Sequence, residues 1–283
     1  MGKITKDSLG DRMKQYEAVN DRILVPKMPF IIRVDGKAFH TYTRGLKKPF
    51  DKLICDVMRE VTAALCKDIP GAVLGYTQSD EITVVCRYTD RIVSQAWFNG
   101  RVRKIETIAA SKATKYFNKY FIQFGEKYID NLISDALTNY GEVSDELEKY
   151  ITAIERKQGM AEFDARVFNL PEWDCINNVI WRQQDAIRNS IEAVGQANFS
   201  AKEIHKITCE GIKEKLLTEK GISWENDLTP YQKSGALCYK VDYEKEIKGA
   251  VVHRTKWQCK DDETFIVQGN RERFSSLTGL SED

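Results

Sequence analysis

Apolar residues recur at intervals of three and four from Asp51 onward, at Ile54, Val57, Met58, Val61 and Leu65. That period predicts an amphipathic helix entered just after Pro49. A shorter helix is predicted over 7–19, with Leu9, Met13 and Tyr16 on one face. Between them, residues 29–34 form a compact β-rich run that stops at Asp35-Gly36, so a buried strand delivers a carboxylate to its end. Two further β-rich runs, 71–77 and 82–87, flank Gln78-Ser79-Asp80-Glu81 and predict a hairpin with acids at its tip. A long helix is expected over about 92–123, with Phe98, Val102, Ile105, Ala109 and Tyr116 on one face and Arg101, Lys104, Lys112 and Lys115 on another. Residues 125–160 are acid-rich and helical in composition, and read as an insertion or mobile excursion. A strand over 163–170 and a helix over 180–194 follow, and Ser200 to Glu203 reads as a capping box opening another helix that Gly221 stops. There is no internal repeat and no Ser/Gly linker. The simplest division is one αβ unit over 1–240, with 241–283 as a C-terminal appendage of uncertain structure.

Composition narrows the class. The 283 residues are 42% hydrophobic and 30% charged, which excludes collagen-like and wholly disordered readings. A net charge of +1 argues against packaging of duplex DNA, although a local basic groove can hide in a balanced total. No apolar run approaches the roughly 18–20 residues that span a bilayer. The N-terminal stretch has no apolar signal core, so a cytoplasmic protein is expected, with no membrane partner. Seven scattered cysteines without a CxxC pair, and three histidines, point to neither a disulfide framework nor a zinc site.

The acids carry the candidate chemistry. If the strand ending at Asp35 neighbours the hairpin holding Asp80 and Glu81, their carboxylates converge at one edge. Two like charges about 4 Å apart repel by roughly 4 kcal/mol at an effective dielectric of 20. Such a cluster binds a cation, protonates or is kept apart. Oxygen-only ligands favour Mg²⁺, and two such ions on two acids serve in-line phosphoryl transfer. The alternative is that Asp-Gly and Ser-Asp-Glu are simply turn residues. Lys47, Lys48, Arg101, Lys104 and Arg182 supply cations of the kind a triphosphate needs, each also readable as a solvated surface charge. Neither a P-loop nor a dinucleotide fingerprint is present.

The segment MPFIIRVDGKAFHTYTRGLKKPFD (28–51), followed by GYTQSDEITVV (75–85), resembles the tRNA(His) guanylyltransferase superfamily. LGDRMKQYE (9–17), FDARV (163–167), WRQQDAIRNS (181–190) and GISWENDLTPYQKSG (221–235) are similar to its other segments. The resemblance implies an α+β fold: a palm-type, ferredoxin-like antiparallel sheet with packed helices and a helical C-terminal part. It also implies nucleotide addition to the 5′ end of RNA, with ATP first adenylylating a 5′-monophosphate. By this likeness Asp35, the Gly36 carbonyl and Asp80 hold two Mg²⁺, and Glu81 supports them. Lys37, Phe39, His40, Lys48, Asp51 and Ser79 surround the activating nucleotide, while Arg101, Lys104 and Arg182 contact phosphates. His40 can also be read as packing beneath the strand, and Trp181 reads as core rather than as a stacking platform. ATP, GTP and other nucleoside triphosphates, tRNA and a homotetrameric assembly are likewise implied.

One departure bears on the substrate. The superfamily's eukaryotic pattern continues W-R-Q-x-D-C-H-I-N-N, whereas Ile187 here stands in place of that histidine. The sequence is thus similar to the guanylyltransferase-like branch, whose members repair 5′-truncated tRNAs by template-dependent 3′–5′ addition. Addition of a single G to tRNA(His), and a catalytically silent RNA-binding or nucleotide-sensing palm, stay open as alternatives.

Overall fold

The period-two alternation of β1 (Phe30–Gly36) sorts its side chains onto two faces. Phe30, Ile32 and Val34 turn to one side; Ile31, Arg33 and Asp35 turn to the other. The computed structural model describes residues 8–89, 93–247, 250–260 and 270–280. Ahead of β1 lies α1 (Leu9–Ala18); after it come α2 (Phe39–Tyr42), α3 (Lys52–Asp68) and the hairpin β2 (Ala72–Gln78) and β3 (Glu81–Cys86). Then follow α4 (Val102–Tyr140), α5 (Asp145–Glu155), β4 (Phe163–Asn169) and α6 (Glu172–Asn198). The chain closes with α7 (Cys209–Lys220), α8 (Trp224–Asp227), α9 (Pro230–Ser234), β5 (Ala236–Ile247), β6 (Ala250–Lys260) and α10 (Arg271–Thr278).

The strands form one antiparallel sheet in the order β4-β1-β3-β2-β5-β6. The first four, joined by the crossovers α3 and α4, make the β-α-β-β-α-β palm that the sequence led us to expect. Both crossover helices pack on the Phe30–Val34 face. There Val57, Met58, Val61 and Leu65 of α3 meet Ile105, Ala109, Ala113, Phe117 and Phe121 of α4, all fully buried. Each large side chain so buried contributes about 1.5–3 kcal/mol. The opposite face is partly covered by α6 and α10, through Ile31, Leu74, Tyr76, Val85, Cys175, Ile176, Val179 and Phe274.

Several expectations are corrected. Residues 125–160 are not an excursion: α4 continues to Tyr140, Gly141 (φ 79°) ends it, and α5 folds back with Ile154 fully buried. Its acids Asp145, Glu146 and Glu148 occupy the helix's first turn, where the backbone dipole favours them, and mask the buried face in a composition reading. Within the stretch expected as an appendage, β6 pairs with β5 and α10 sets Phe274 into the second core, so these elements pack on the αβ unit. Ser200 and Glu203 do bond, the Ser200 amide donating to Oε2 at 2.8 Å. No helix follows there; Lys206 takes φ 62°, and α7 starts instead at Cys209 under the Thr208 cap. The apolar face predicted for α1 exists but covers nothing: Leu9, Met13 and Tyr16 are all exposed. Residue 7 of that expected helix, residue 92 of the expected long one, and 248–249, 261–269 and 281–283 of the C-terminal region lie outside the described residues. Among the described residues no helix is long and apolar enough to cross a membrane.

Candidate active site

The register of β1 against β3 pairs Asp35 with Glu81, and the Gly36 amide donates to the Asp80 carbonyl at 3.2 Å. Asp35 is thereby brought to Asp80 and Glu81, more than forty residues further along the chain, at one end of the sheet. Ser79 and Asp80 make the two-residue turn between β2 and β3. Ser79 takes a left-handed φ of 48°, and its hydroxyl donates to Asp80 Oδ1 at 2.9 Å. Gly36 is required by space: a Cβ there would lie 2.3 Å from the Phe39 ring. Phe39 itself is buried among Tyr42, Phe117 and Phe163, so it fixes the loop after β1 from below while one edge lines the cavity.

That cavity has a volume of about 500 Å³, a size suited to a nucleotide. Gly36, His40, Lys48, Asp51, Ser79 and Asp80 all line it. His40 is exposed, with its Nε2 3.0 Å from the Thr41 hydroxyl. Among the described residues the Lys48 ammonium has only a long 3.4 Å contact with the Thr43 hydroxyl, which leaves it available to a ligand. Asp51 is spent differently. One carboxylate oxygen accepts from the Leu53 and Ile54 amides at the start of α3; the other accepts from the Lys47 amide and, at 2.7 Å, from the Tyr150 hydroxyl. It anchors the loop that carries Lys48.

The electrostatics single out the sheet end. Burial, then repulsion from Asp164, pushes the Asp35 carboxyl above the usual range, opposed by Arg166, Arg33 and Arg182. Burial also raises Asp80, with the Asp35 charge adding to it against the Ser79 hydrogen bond. Glu81 is raised by burial, while its Arg182 partner opposes the shift. Arg182 Nε meets Glu81 Oε1 at 2.6 Å, and its terminal nitrogen meets Asp185 at 2.8 Å. A desolvated carboxylate pair needs a cation. Among the described residues no three His, Cys, Asp or Glu side chains form a ready-made metal cluster. Two carboxylates, a backbone carbonyl and phosphate oxygens of a substrate are, however, the donor set that Mg²⁺ takes.

Six sequence-selected residues are absent from the cavity lining: Asp35 and Glu81, which stand beside it on β1 and β3, and four more. Arg182 is buried in its ion pairs. Lys37 is exposed and paired with Glu162 at 2.6 Å. Arg101 bridges to Ile23 and lies 3.5 Å from Asp21, at the end of the sheet where Phe30 pairs with Cys86. Lys104 sits 4.9 Å over the Phe98 ring at that same end. A six-residue strand separates that end from the acids by about 20 Å, so within one chain neither cation reaches them. The cavity also contains Gln78, Asn189, Ser190, Tyr231 and Lys233, all within quoted segments but none chosen there as a site residue. The 221–235 segment is the clue that pointed nearest to the last two.

Residues 10–171 match the family described as tRNAHis guanylyltransferase, more than half of the chain. The chain belongs to this family. A bacterial tRNA(His) guanylyltransferase-like protein in complex with ATP is 36% identical, with a TM-score of 0.74 over 97% of this chain and 100% of the other. The complex with GTP gives 33% identity and a TM-score of 0.73, with the same coverage. An uncharacterised protein of Acanthamoeba polyphaga mimivirus is 30% identical over 85% of this chain and 80% of its own length. The protein is a nucleotidyltransferase of the tRNA(His) guanylyltransferase family. Where the family's eukaryotic pattern has histidine, Ile187 packs against the cluster of Ile191, Val194 and Leu216 with Phe50 and Trp224 alongside. An apolar residue here helps close the back of α6 over α7.

Proposed function

We propose that this enzyme repairs the 5′ end of truncated tRNA by template-dependent addition in the 3′–5′ direction. The observation that carries the reading is the pair of desolvated carboxylates, Asp35 and Asp80, at the edge of a nucleotide-sized cavity holding an uncommitted Lys48. ATP, and in turn GTP or another nucleoside triphosphate, are the substrates; the relatives solved with ATP and with GTP support that choice. An oxygen of the RNA 5′-monophosphate attacks the α-phosphorus of ATP, and pyrophosphate leaves. The 3′-hydroxyl of the incoming nucleotide then attacks the activated 5′-phosphorus, and AMP leaves with the electron pair of the broken anhydride bond. Lys48 and His40 meet the phosphates and ribose of the activating nucleotide, and Asp51 holds their loop through Tyr150. Asp35, Asp80 and the Gly36 carbonyl hold Mg²⁺, which when bound supplies charge neutralisation at the reacting phosphate. Glu81, clamped by Arg182, keeps Asp35 in register.

Templating is favoured over tRNA(His)-specific addition by Ile187, which removes a polar side chain from the segment where the family's eukaryotic members carry histidine. A homotetramer is supported by α1. Its ten residues bury nothing, and isolated helices shorter than about 12–15 residues are marginal in water. The deciding experiment offers 5′-truncated tRNAs, differing only in the base opposite the gap, with ATP, Mg²⁺ and all four nucleoside triphosphates. The product should follow Watson–Crick pairing on any tRNA and stop when the stem is complete. Incorporation of G whatever the opposing base, confined to tRNA(His), would replace this reading with the single-addition one.

A further inference from the structure

We propose that the indole of Trp181 is a stacking platform for a nucleobase, on the open face of the sheet beside Asp35 and outside the activating-nucleotide cavity. The inference deepens the reading above and rests on it for the substrate class. Along α6, Ile180 and Arg182 are buried at 8% and 7% exposure, yet Trp181 between them is 51% exposed. The residue is therefore held on a rigid, well-packed stretch of helix while its ring faces outward. Its back is fixed, because the Arg182 guanidinium lies 4.5 Å from the ring centroid and is itself clamped by Glu81 and Asp185. The Arg33 guanidinium, reaching from β1, lies 5.8 Å from the same ring.

The surroundings have the chemistry of a nucleotide site. Arg33, Asp35, Asp164 and Arg166 stand on the same face of the paired strands β1 and β4, with Arg33 opposite Arg166 and Asp35 opposite Asp164. Asp164 and Arg166 are exposed. The charges of Arg33, Arg166 and Arg182 all act on the Asp35 carboxylate, so ring, cations and acid share one neighbourhood. Arg182 is consumed by its carboxylates; Arg33 and Arg166 form no ion pair among the described residues. A flat apolar ring, two guanidiniums without an ion pair among the described residues and a carboxylate pair match a base, its phosphates and a cation. Trp181, Arg33 and Arg166 are absent from the lining of the cavity that holds Lys48 and Ser79. The ring and its two guanidiniums thus lie outside that cavity. Two sources offer this chemistry: the incoming nucleoside triphosphate and the terminal nucleotide of the RNA.

The test measures equilibrium binding of GTP and, separately, of a 5′-truncated tRNA to the full-length wild type, Trp181→Ala and Trp181→Phe. Removing the platform should weaken one of the two by about tenfold to a hundredfold, as expected for loss of one base–aromatic stack. Phe should restore most of the affinity, and the melting temperature should stay near that of the wild type, since the ring covers little core. Weaker GTP binding assigns the platform to the incoming nucleotide; weaker tRNA binding assigns it to the RNA end. Unchanged affinity for both ligands overturns the proposal. So does a change in sedimentation with affinities intact, which would make Trp181 a contact between subunits. A wild type that binds both ligands but extends no truncated tRNA would sink the repair reading alone, leaving the binding comparison to judge the platform.

Discussion

The two ends of the palm sheet treat their polar groups in opposite ways. Where β1 finishes and β3 begins, Asp35, Asp80 and Glu81 are all desolvated and raised above the usual range; among the described residues only Glu81 has a guanidinium at bonding distance. At the far end several polar groups satisfy each other. Asn169 accepts from the Val25 amide at 2.8 Å and donates to the Met28 and Pro29 carbonyls, while Arg101 leans on Asp21. We propose that the end whose acids are desolvated, with only Glu81 among the described residues bonded to a cation, is the end that meets the ligand. The acid end costs stability that the saturated end helps to offset.

The comparison breaks most sharply at the acids. Asp35→Asn and Asp80→Asn should each reduce nucleotide addition by at least about a hundredfold, since several kcal/mol of transition-state stabilisation is at stake. Their melting temperatures should hold or rise, because a repelling, desolvated charge is gone. A fall like that of a core truncation would class these acids as structural. Next in size, Arg182→Met leaves Glu81 buried without its partner and should lose about 3–5 kcal/mol in urea denaturation. Adding Glu81→Gln should recover part of that loss, and failure to recover any would show that Arg182 acts through packing alone.

At the saturated end the effects shrink and separate from chemistry. Asn169→Ala removes hydrogen bonds to three backbone residues of the 25–29 segment and should cost roughly 1–2 kcal/mol with turnover per folded molecule unchanged. The smallest effect lies between α3 and α4, where Lys112 at 2.7 Å and Tyr116 donate to Asp68 and hold its carboxyl below the usual range. A carboxyl lowered on folding stabilises above its ordinary pKa, and that contribution disappears as pH falls through the folded value. The urea midpoint should therefore drop below about pH 4, and Lys112→Met should flatten that part of the profile.

Much of the site was legible because it is local. Asp-Gly ends a strand, and Gln-Ser-Asp-Glu turns a hairpin; both signatures come from backbone dihedrals and close approach that few residues allow, as Gly36 beneath Phe39 illustrates. The cavity's further wall was hidden because Asn189, Ser190, Tyr231 and Lys233 arrive from α6 and α9, and nothing local marks a residue that merely faces across a gap. Trp181 was readable as core from its neighbours, since period alone does not say which residue of a covering helix stays exposed.

By itself, then, the sequence determined the strand and helix periods of the palm, the acid-bearing turns and the chemistry those acids invite. These follow from interactions within a few residues of chain. Only the tertiary structure decided that Asp51 is bonded by Tyr150 from 99 residues away, that Arg101 and Lys104 stand at the end opposite the acids, and that the 236–260 hairpin completes the sheet. Those outcomes depend on strand register and on which edge stays open, and both are set by packing summed over the whole chain rather than by any segment of it.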